Sequence, residues 1–493
     1  MEKTGTVCIC CPADAVMAAD KLMEEREMFG FNRKGKENNI EQENREEHSQ
    51  AEEKPSFILG VLDVFSLKDS PDFIVVGRVK GTVHKGDTVY LSNPGADDDR
   101  RIAAAVTALE TGPGAAALQA ADCDVALRIE NGSRYPLRKG TVLFTEDKSD
   151  NDIHTVYINT LGDVFVMKQG LDLSDEELGM LTIADCAESW RMFFWLQGKV
   201  SEKQSQEERQ EARRRIDRLA DALCRKILHA EAIYCIYDKT TGEPYLLSRT
   251  IKREENYECT PPDILIFPKS YQRIMRERFP EERFEIRRIE NGEKGDGIYN
   301  FLGTAFYLNG ACGAAVLSEQ TAIAAGMLVP EPDYSQTPQQ NIPVTNPGLV
   351  RWALLLGQIG EARGEDADLI RGLYYGFLSR ELLKARLLIP MQNMGEIPKT
   401  DESGKTILQK DTTIKFPTKQ GKYGRPAVCI FTDWKRLRMV YGKDWNALVQ
   451  PVEGIIDVFD CAVNSTEFYR AGFYVSKDMF EEIKGKYGES GNT

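Results

Sequence analysis

The chain has 493 residues, 42% of them hydrophobic and 28% charged. That balance excludes a disordered or fibrous protein, and the length calls for several domains rather than one core. Lys and Arg total 63 against 77 Asp and Glu, a net charge of −14, which argues against a protein whose main work is holding DNA or an anionic membrane, because such binding relies on clustered cations. No apolar run reaches the roughly 18–20 residues that span a bilayer.

The first segment, 1–31, holds a short apolar stretch and an amphipathic pattern from Ala13 to Met28. Met1–Cys11 lacks the basic and long apolar regions of a secretory signal, so a cytoplasmic chain is expected. Eleven cysteines, scattered and odd in number, read as reduced thiols. Residues 32–55 are polar and mostly charged, the composition of a linker.

From 56 to 147 the apolar period changes to two. Short alternating runs start near Phe57, Asp72, Asp87, Arg101, Cys123 and Thr141, separated by turn signals such as His84–Asp87 and Asn93–Gly95. Six short strands at this spacing predict a closed barrel. Val75, Val76, Val79, Val83 and Val89 are expected inside it, and Gly81 and Gly86 at tight turns.

A helical connector is expected over 148–230. Ser174 followed by Glu177 is a capping box. A long charged helix over Glu207–His229 carries Ile216, Leu219, Ala220, Leu223 and Ile227 on one stripe. Trp190, Phe193, Phe194 and Trp195 cluster on another helix, where such spacing usually means core.

Alternation returns over 231–330, followed by a Pro- and Gln-rich linker at 331–345. The segment 346–485 opens with helices at Pro347–Ile359 and Asp366–Ala385 and ends as mixed α/β, and a short tail occupies 486–493. Residues 263–318 and 427–476 read as two copies of one unit. In each, a strand ends in Phe (Phe267, Phe431) and a basic helix follows with an aromatic near its start (Tyr271, Trp434). A second strand, an amphipathic segment and an Asn (Asn309, Asn464) lead to a last strand. The expected fold is therefore multidomain α+β: a β-barrel, a helical connector and two α/β modules.

Two stretches resemble known families. Asp63–Phe65, Val75–Val89, Val106–Glu110, Asp124–Glu130 and Lys139–Leu143 follow in the order seen in domain 2 of the translational GTPases, the barrel of elongation factor Tu. That resemblance implies a barrel that contacts tRNA, the ribosome or a G domain. The chain has no P-loop: Gly404–Thr406 is preceded by Lys399 where the first Gly should stand, so the backbone amides lack the turn that wraps a phosphate. Leu378–Pro390, Ala427–Leu437 and Asp460–Asn464 resemble the SseB N-terminal domain family of bacterial proteins. That resemblance implies a fold and a soluble bacterial context, not a reaction.

No catalytic set assembles from the sequence. His48, His84, His154 and His229 lie in four unrelated contexts without metal-ligand spacing. Cys8, Cys10 and Cys11 are close enough to hold a soft metal or take a redox role, but the stronger reading is a short apolar strand using Cys as a small hydrophobe. Cys312 has no neighbouring His to activate it, and Asp97–Asp99 reads as a hairpin tip rather than a cation loop. No cofactor is expected. Trp434, Lys435 and Arg438 in one repeat, and Tyr271, Arg273 and Arg276 in the other, place cations and aromatics on corresponding helices. They are the candidate partner-binding residues, against the alternative of a solvated face. The expected function is a non-enzymatic binding or scaffold protein docking a protein partner, with neither DNA nor membrane. The alternative is a translation-associated factor using the barrel for tRNA or the ribosome.

Overall fold

The computed structural model describes residues 56–200, 203–253, 256–338, 341–360, 364–394, 413–421, 424–466 and 471–488. The expectations for 1–31, 32–55, Cys8, Cys10, Cys11, His48 and the tail beyond 488 lie outside the described residues. Packing divides the chain into two units, Met1–Leu219 and Ala220–Thr493.

The first unit opens with β1 (Ser56–Ser66), β2 (Phe73–His84), β3 (Thr88–Ser92), β4 (Ile102–Glu110), two short strands β5 (Ala116–Ala117) and β6 (Gln119–Ala121), β7 (Asp124–Ile129) and β8 (Val142–Phe144). The order β1-β8-β3-β4-β7-β2 closes through antiparallel pairing of β2 back onto β1, giving a six-stranded barrel. Closure removes the sheet edges that an open sheet of short strands would leave unpaired. Val75, Val79, Val83 and Val89 fill its core with Phe57, Leu59, Leu127 and Leu143. Val76 does not join them and is half-buried on the outer side, because side chains alternate along β2 and its neighbours Val75 and Gly77 take the inner positions. Gly81, at φ +91°, is required: a Cβ there would sit 2.2 Å from the Ser56 carbonyl oxygen.

Four helices follow: α1 (Asp150–Leu161), α2 (Asp175–Met180), α3 (Ile183–Val200) and α4 (Gln206–His229), with a π-helical turn over Gly162–Lys168 after α1. The boundary between the units falls inside α4. Both reciprocal bonds of the Ser174–Glu177 capping box are present, and α1 begins with a second one between Ser149 and Asp152. Asp185 at the start of α3 is fully buried and binds α1 and the barrel together. It accepts from Arg138 Nη1 at 2.6 Å, Tyr157 Oη at 2.6 Å and the Thr182 amide at 2.8 Å. A buried carboxylate needs such partners, since an unpaired one would be strongly destabilising. In the aromatic cluster of α3, Phe193 is buried, Trp190 and Phe194 are half-buried, and Trp195 is exposed with Lys199 over its ring.

The second unit contains two sheet systems. The first is built from β9 (Ala232–Asp238), β10 (Glu243–Pro244), β11 (Leu246–Leu247), β14 (Asp263–Phe267), β15 (Phe284–Glu290), β16 (Gly313–Val316) and β17 (Ala322–Ala324), with the hairpin β12 (Thr250–Arg253) and β13 (Asn256–Cys259) beside them. Helices α5 (Gln272–Arg278), α6 (Gly297–Tyr307) and α7 (Ala325–Leu328) interrupt the strands. Next come α8 (Pro347–Ile359) and α9 (Glu365–Lys384). The second system has β18 (Arg386–Met394), β19 (Thr413–Lys415), β20 (Thr418–Gln420), β21 (Pro426–Ile430), α10 (Trp434–Arg438), β22 (Asn446–Pro451), α11 (Glu453–Ile456), β23 (Asp460–Val463), β24 (Phe473–Val475) and α12 (Lys477–Tyr487).

The two systems share one strand order. In the first, β15 pairs β9, β9 pairs β14, β14 runs parallel to β16, and β17 closes antiparallel. In the second, β22 pairs β18, a bridge between Leu388 and Phe431 links β18 to the end of β21, β21 runs parallel to β23, and β24 closes antiparallel. Phe267 and Phe431 occupy matching places, paired with Tyr234 and Leu388. Asn309 and Asn464 do not match. Asn309 precedes the parallel strand β16, whereas Asn464 follows β23 and corresponds to Leu317: both have positive φ, 50° and 65°, and each donates its amide to the neighbouring strand's last Ile. The sequence match failed there because the segments between the strands differ in length.

Helix α8 joins the two systems. Leu349 and Ala353 enter the core of the second with Leu387, Ile430 and Val463. On the other side, Gln358 holds the Leu246 amide and carbonyl at 3.0 Å each, and Arg351 donates to the Gly310 carbonyl at 2.5 Å. Gly310 has φ +80°, and a Cβ there would lie 2.1 Å from the Pro347 carbonyl oxygen. Only glycine lets α8 begin so close to the first system.

Candidate functional site

The chemistry of the second unit concentrates where α10 meets the first sheet system. Asp433 caps α10, its carboxylate accepting from the Arg436 amide at 2.9 Å. One turn on, the Arg436 side chain folds back, and its guanidinium donates to Asp433 Oδ2 at 2.5 Å. Its other arm reaches out of its own module and donates to Asn309 Oδ1 at 2.6 Å. Asn309 in turn donates to Glu243 Oε2 at 2.9 Å, and Glu243 Oε1 lies 3.8 Å from Arg436. On the far side Thr432 donates to Asp433 Oδ2 at 2.8 Å and is held by Asn464. Arg436 and Asn309 are each 1% exposed and Glu243 9%, so the network is a dry chain of charge-assisted bonds.

Beside this network lies a cavity of about 240 Å³. Tyr237 and Glu243 come from the β9–β10 hairpin, Asn300 and Thr304 from one face of α6, Asn309 from the turn after α6, and Lys435 from α10. Burial raises the Tyr237 phenol well above its ordinary pKa, reinforced by Cys235 and the Glu243 carboxylate. Arg287 lies 4.0 Å from its ring centroid. Among the described residues no three His, Cys, Asp or Glu side chains come together in a metal-binding group.

The six residues singled out from the sequence have separate fates. Lys435 is exposed on the cavity rim, and Trp434 beside it is half-buried against Leu388, Phe431 and Leu437. Arg438 stacks on Trp434 at 4.9 Å and donates to the Gly442 and Trp445 carbonyls. Tyr271 is only 3% exposed; it is packed into the first module and offers no surface in this conformation. Arg273 is exposed and pairs with Glu277 one turn along α5, and Arg276 is exposed on the same helix. Arg273 and Arg276 thus lie on α5 of the first module, and Lys435 and Arg438 on α10 of the second. Arg436, Asn309 and Glu243, which the structure brings together, carry no sequence signal as a group. Arg436 reads as one more cation in a basic run, and the three positions lie far apart in the chain, Glu243 66 residues before Asn309 and Asn309 127 before Arg436.

The described fold is a multidomain α+β protein containing a closed six-stranded antiparallel barrel. Residues 377–459 match the SseB protein N-terminal domain, a region running from the end of α9 through β22 and α11. No curated protein matches the chain. Similar solved structures include translation elongation factor SelB from Methanococcus maripaludis, in its apo form and in complex with the GTP analogue GppNHp. Each is 18% identical, with a TM-score of 0.17, over 19% of this chain and 20% of that one. The chain thus spans about a fifth of the length of these structures.

Proposed function

We propose that this is a non-enzymatic, SseB-like binding protein of the cytoplasm that docks protein partners through two copies of one α/β module. The observation that carries the reading is the repetition of a single strand order, parallel central pair included, in modules joined by α8 and by the Arg436 network. The residues matching the SseB N-terminal domain lie in the second copy. The hydroxyl, guanidinium and carboxylates of the network are bonded to one another, an arrangement that suits recognition better than turnover. The docking surface runs from Trp434 to Arg438, with a half-buried aromatic beside cations, the residue types enriched at interface centres.

The test is to cross-link the tagged chain in its own cells and purify it with and without RNase. A defined protein that survives RNase and is lost with Trp434→Ala, at an unchanged melting temperature, supports the reading. Ribosomal proteins or tRNA that RNase removes would sink it and assign binding to the barrel.

A further inference from the structure

We propose that the cavity between the two α/β modules binds a small zwitterion, its ammonium received by Glu243 and its carboxylate by Lys435. The inference does not depend on the protein-docking reading. It rests on the size, charge and composition of one site.

A cavity of about 240 Å³ is smaller than the roughly 300–1,000 Å³ of pockets for drug-sized ligands, a size that suits a ligand of few heavy atoms. Its two charged groups come from different modules. Glu243 is buried, and Asn309 holds Oε2. Oε1 lies 3.8 Å from Arg436, beyond hydrogen-bond range, and so keeps lone pairs for another donor. The Arg436 charge is met at 2.5 Å by Asp433, so it offsets that of Glu243 only partly. Lys435 stands exposed on the opposing module.

A simple cation that reached Glu243 would face Lys435 and Arg436, and a simple anion drawn to Lys435 would face the Glu243 carboxylate. A ligand carrying both charges satisfies both ends at once. The Asn300 amide and Thr304 hydroxyl in the lining offer further hydrogen bonds, and Phe301 and Pro244 supply apolar wall for a short aliphatic spacer. Because Glu243 and Lys435 belong to different modules, the site is complete only when the modules are docked.

The test uses the purified full chain and isothermal titration calorimetry. The ligands are glycine, β-alanine, 4-aminobutanoate and 5-aminopentanoate, which separate the two charges by increasing lengths. Butylamine and butyrate, at matched ionic strength, are the single-charge controls. One member of the series should saturate the chain with one site, and both controls should bind at least about tenfold more weakly. Glu243→Gln and Lys435→Ala should each weaken that member by about tenfold or more. Lys435 is exposed, so its variant remains informative even if Glu243→Gln disturbs folding. The proposal is overturned if no member saturates at millimolar concentration, if a control binds as tightly, or if Lys435→Ala binds unchanged.

Discussion

Replacing Arg436 by Met keeps much of the side-chain length and apolar stem while deleting the charge. In the wild-type chain its guanidinium sits 2.5 Å from Asp433 and 2.6 Å from Asn309, and is 1% exposed. The variant leaves the Asp433 carboxylate buried without its cation, with only the Thr432 hydroxyl and the backbone amide at position 436 still donating to it, deprives Asn309 Oδ1 of its donor, and removes the cation nearest Glu243. Taking one partner from a buried ion pair costs about 3–5 kcal/mol, whereas replacing both partners by apolar groups can be neutral. For a unit of this size each kcal/mol moves the midpoint by about 2–4 °C, so the transition of the second unit should fall by about 10 °C. Differential scanning calorimetry on the full chain measures this. Arg438→Met is the control, because Arg438 is exposed and its loss should cost under about 1 kcal/mol. A double-mutant cycle with Asn309→Ala adds the link between modules and should show a coupling of about 1 kcal/mol or more. If Arg436→Met moves the midpoint no further than Arg438→Met, or if the two changes add to within about 0.3 kcal/mol, the network does not hold the modules together.

In the first unit, Asp185→Asn should lower stability by about 3 kcal/mol, measured by urea denaturation, since Arg138 and Tyr157 both depend on that carboxylate. A Cβ at Gly60 would lie 1.8 Å from Thr160 Oγ1, so Gly60→Ala should cost about 1–3 kcal/mol and much less in a Thr160→Ala background. Burial, helped by Glu319, raises the Asp263 carboxyl from 3.8 to about 7. The folded chain then binds this proton more tightly than the unfolded one, so its contribution is most favourable below about pH 4 and falls as pH rises towards 7. Asp263→Asn should remove that part of the slope in thermal melts taken across this range; an unchanged slope would refute the assignment.

The barrel was legible because its information is local. Alternation over runs of five to twelve residues sets which side chains face inward, and Gly81 marks the close approach to Ser56. Even so, Val76 was assigned to the wrong face, since a run of adjacent valines does not reveal its own phase. The helix at Pro347–Ile359 was legible from the Pro in its first turn, and the one expected over Asp366–Ala385 forms over Glu365–Lys384. The two short strands after Gly114 were not, because alanines flanked by glycine carry neither strand nor helix preference strongly.

The sequence by itself determined the order of elements and the choice of fold class, because hydrophobic period, capping and turn chemistry act between residues a few positions apart. Only the tertiary structure decided which polar groups share a site. Arg436, Asn309 and Glu243 meet because α8 and the strand order of two modules bring distant segments together. Their one-to-one bonds form in a desolvated interior where each charge must find a partner. A basic helix therefore reads the same in sequence whether its cations face water, as Arg276 does, or close a buried network, as Arg436 does.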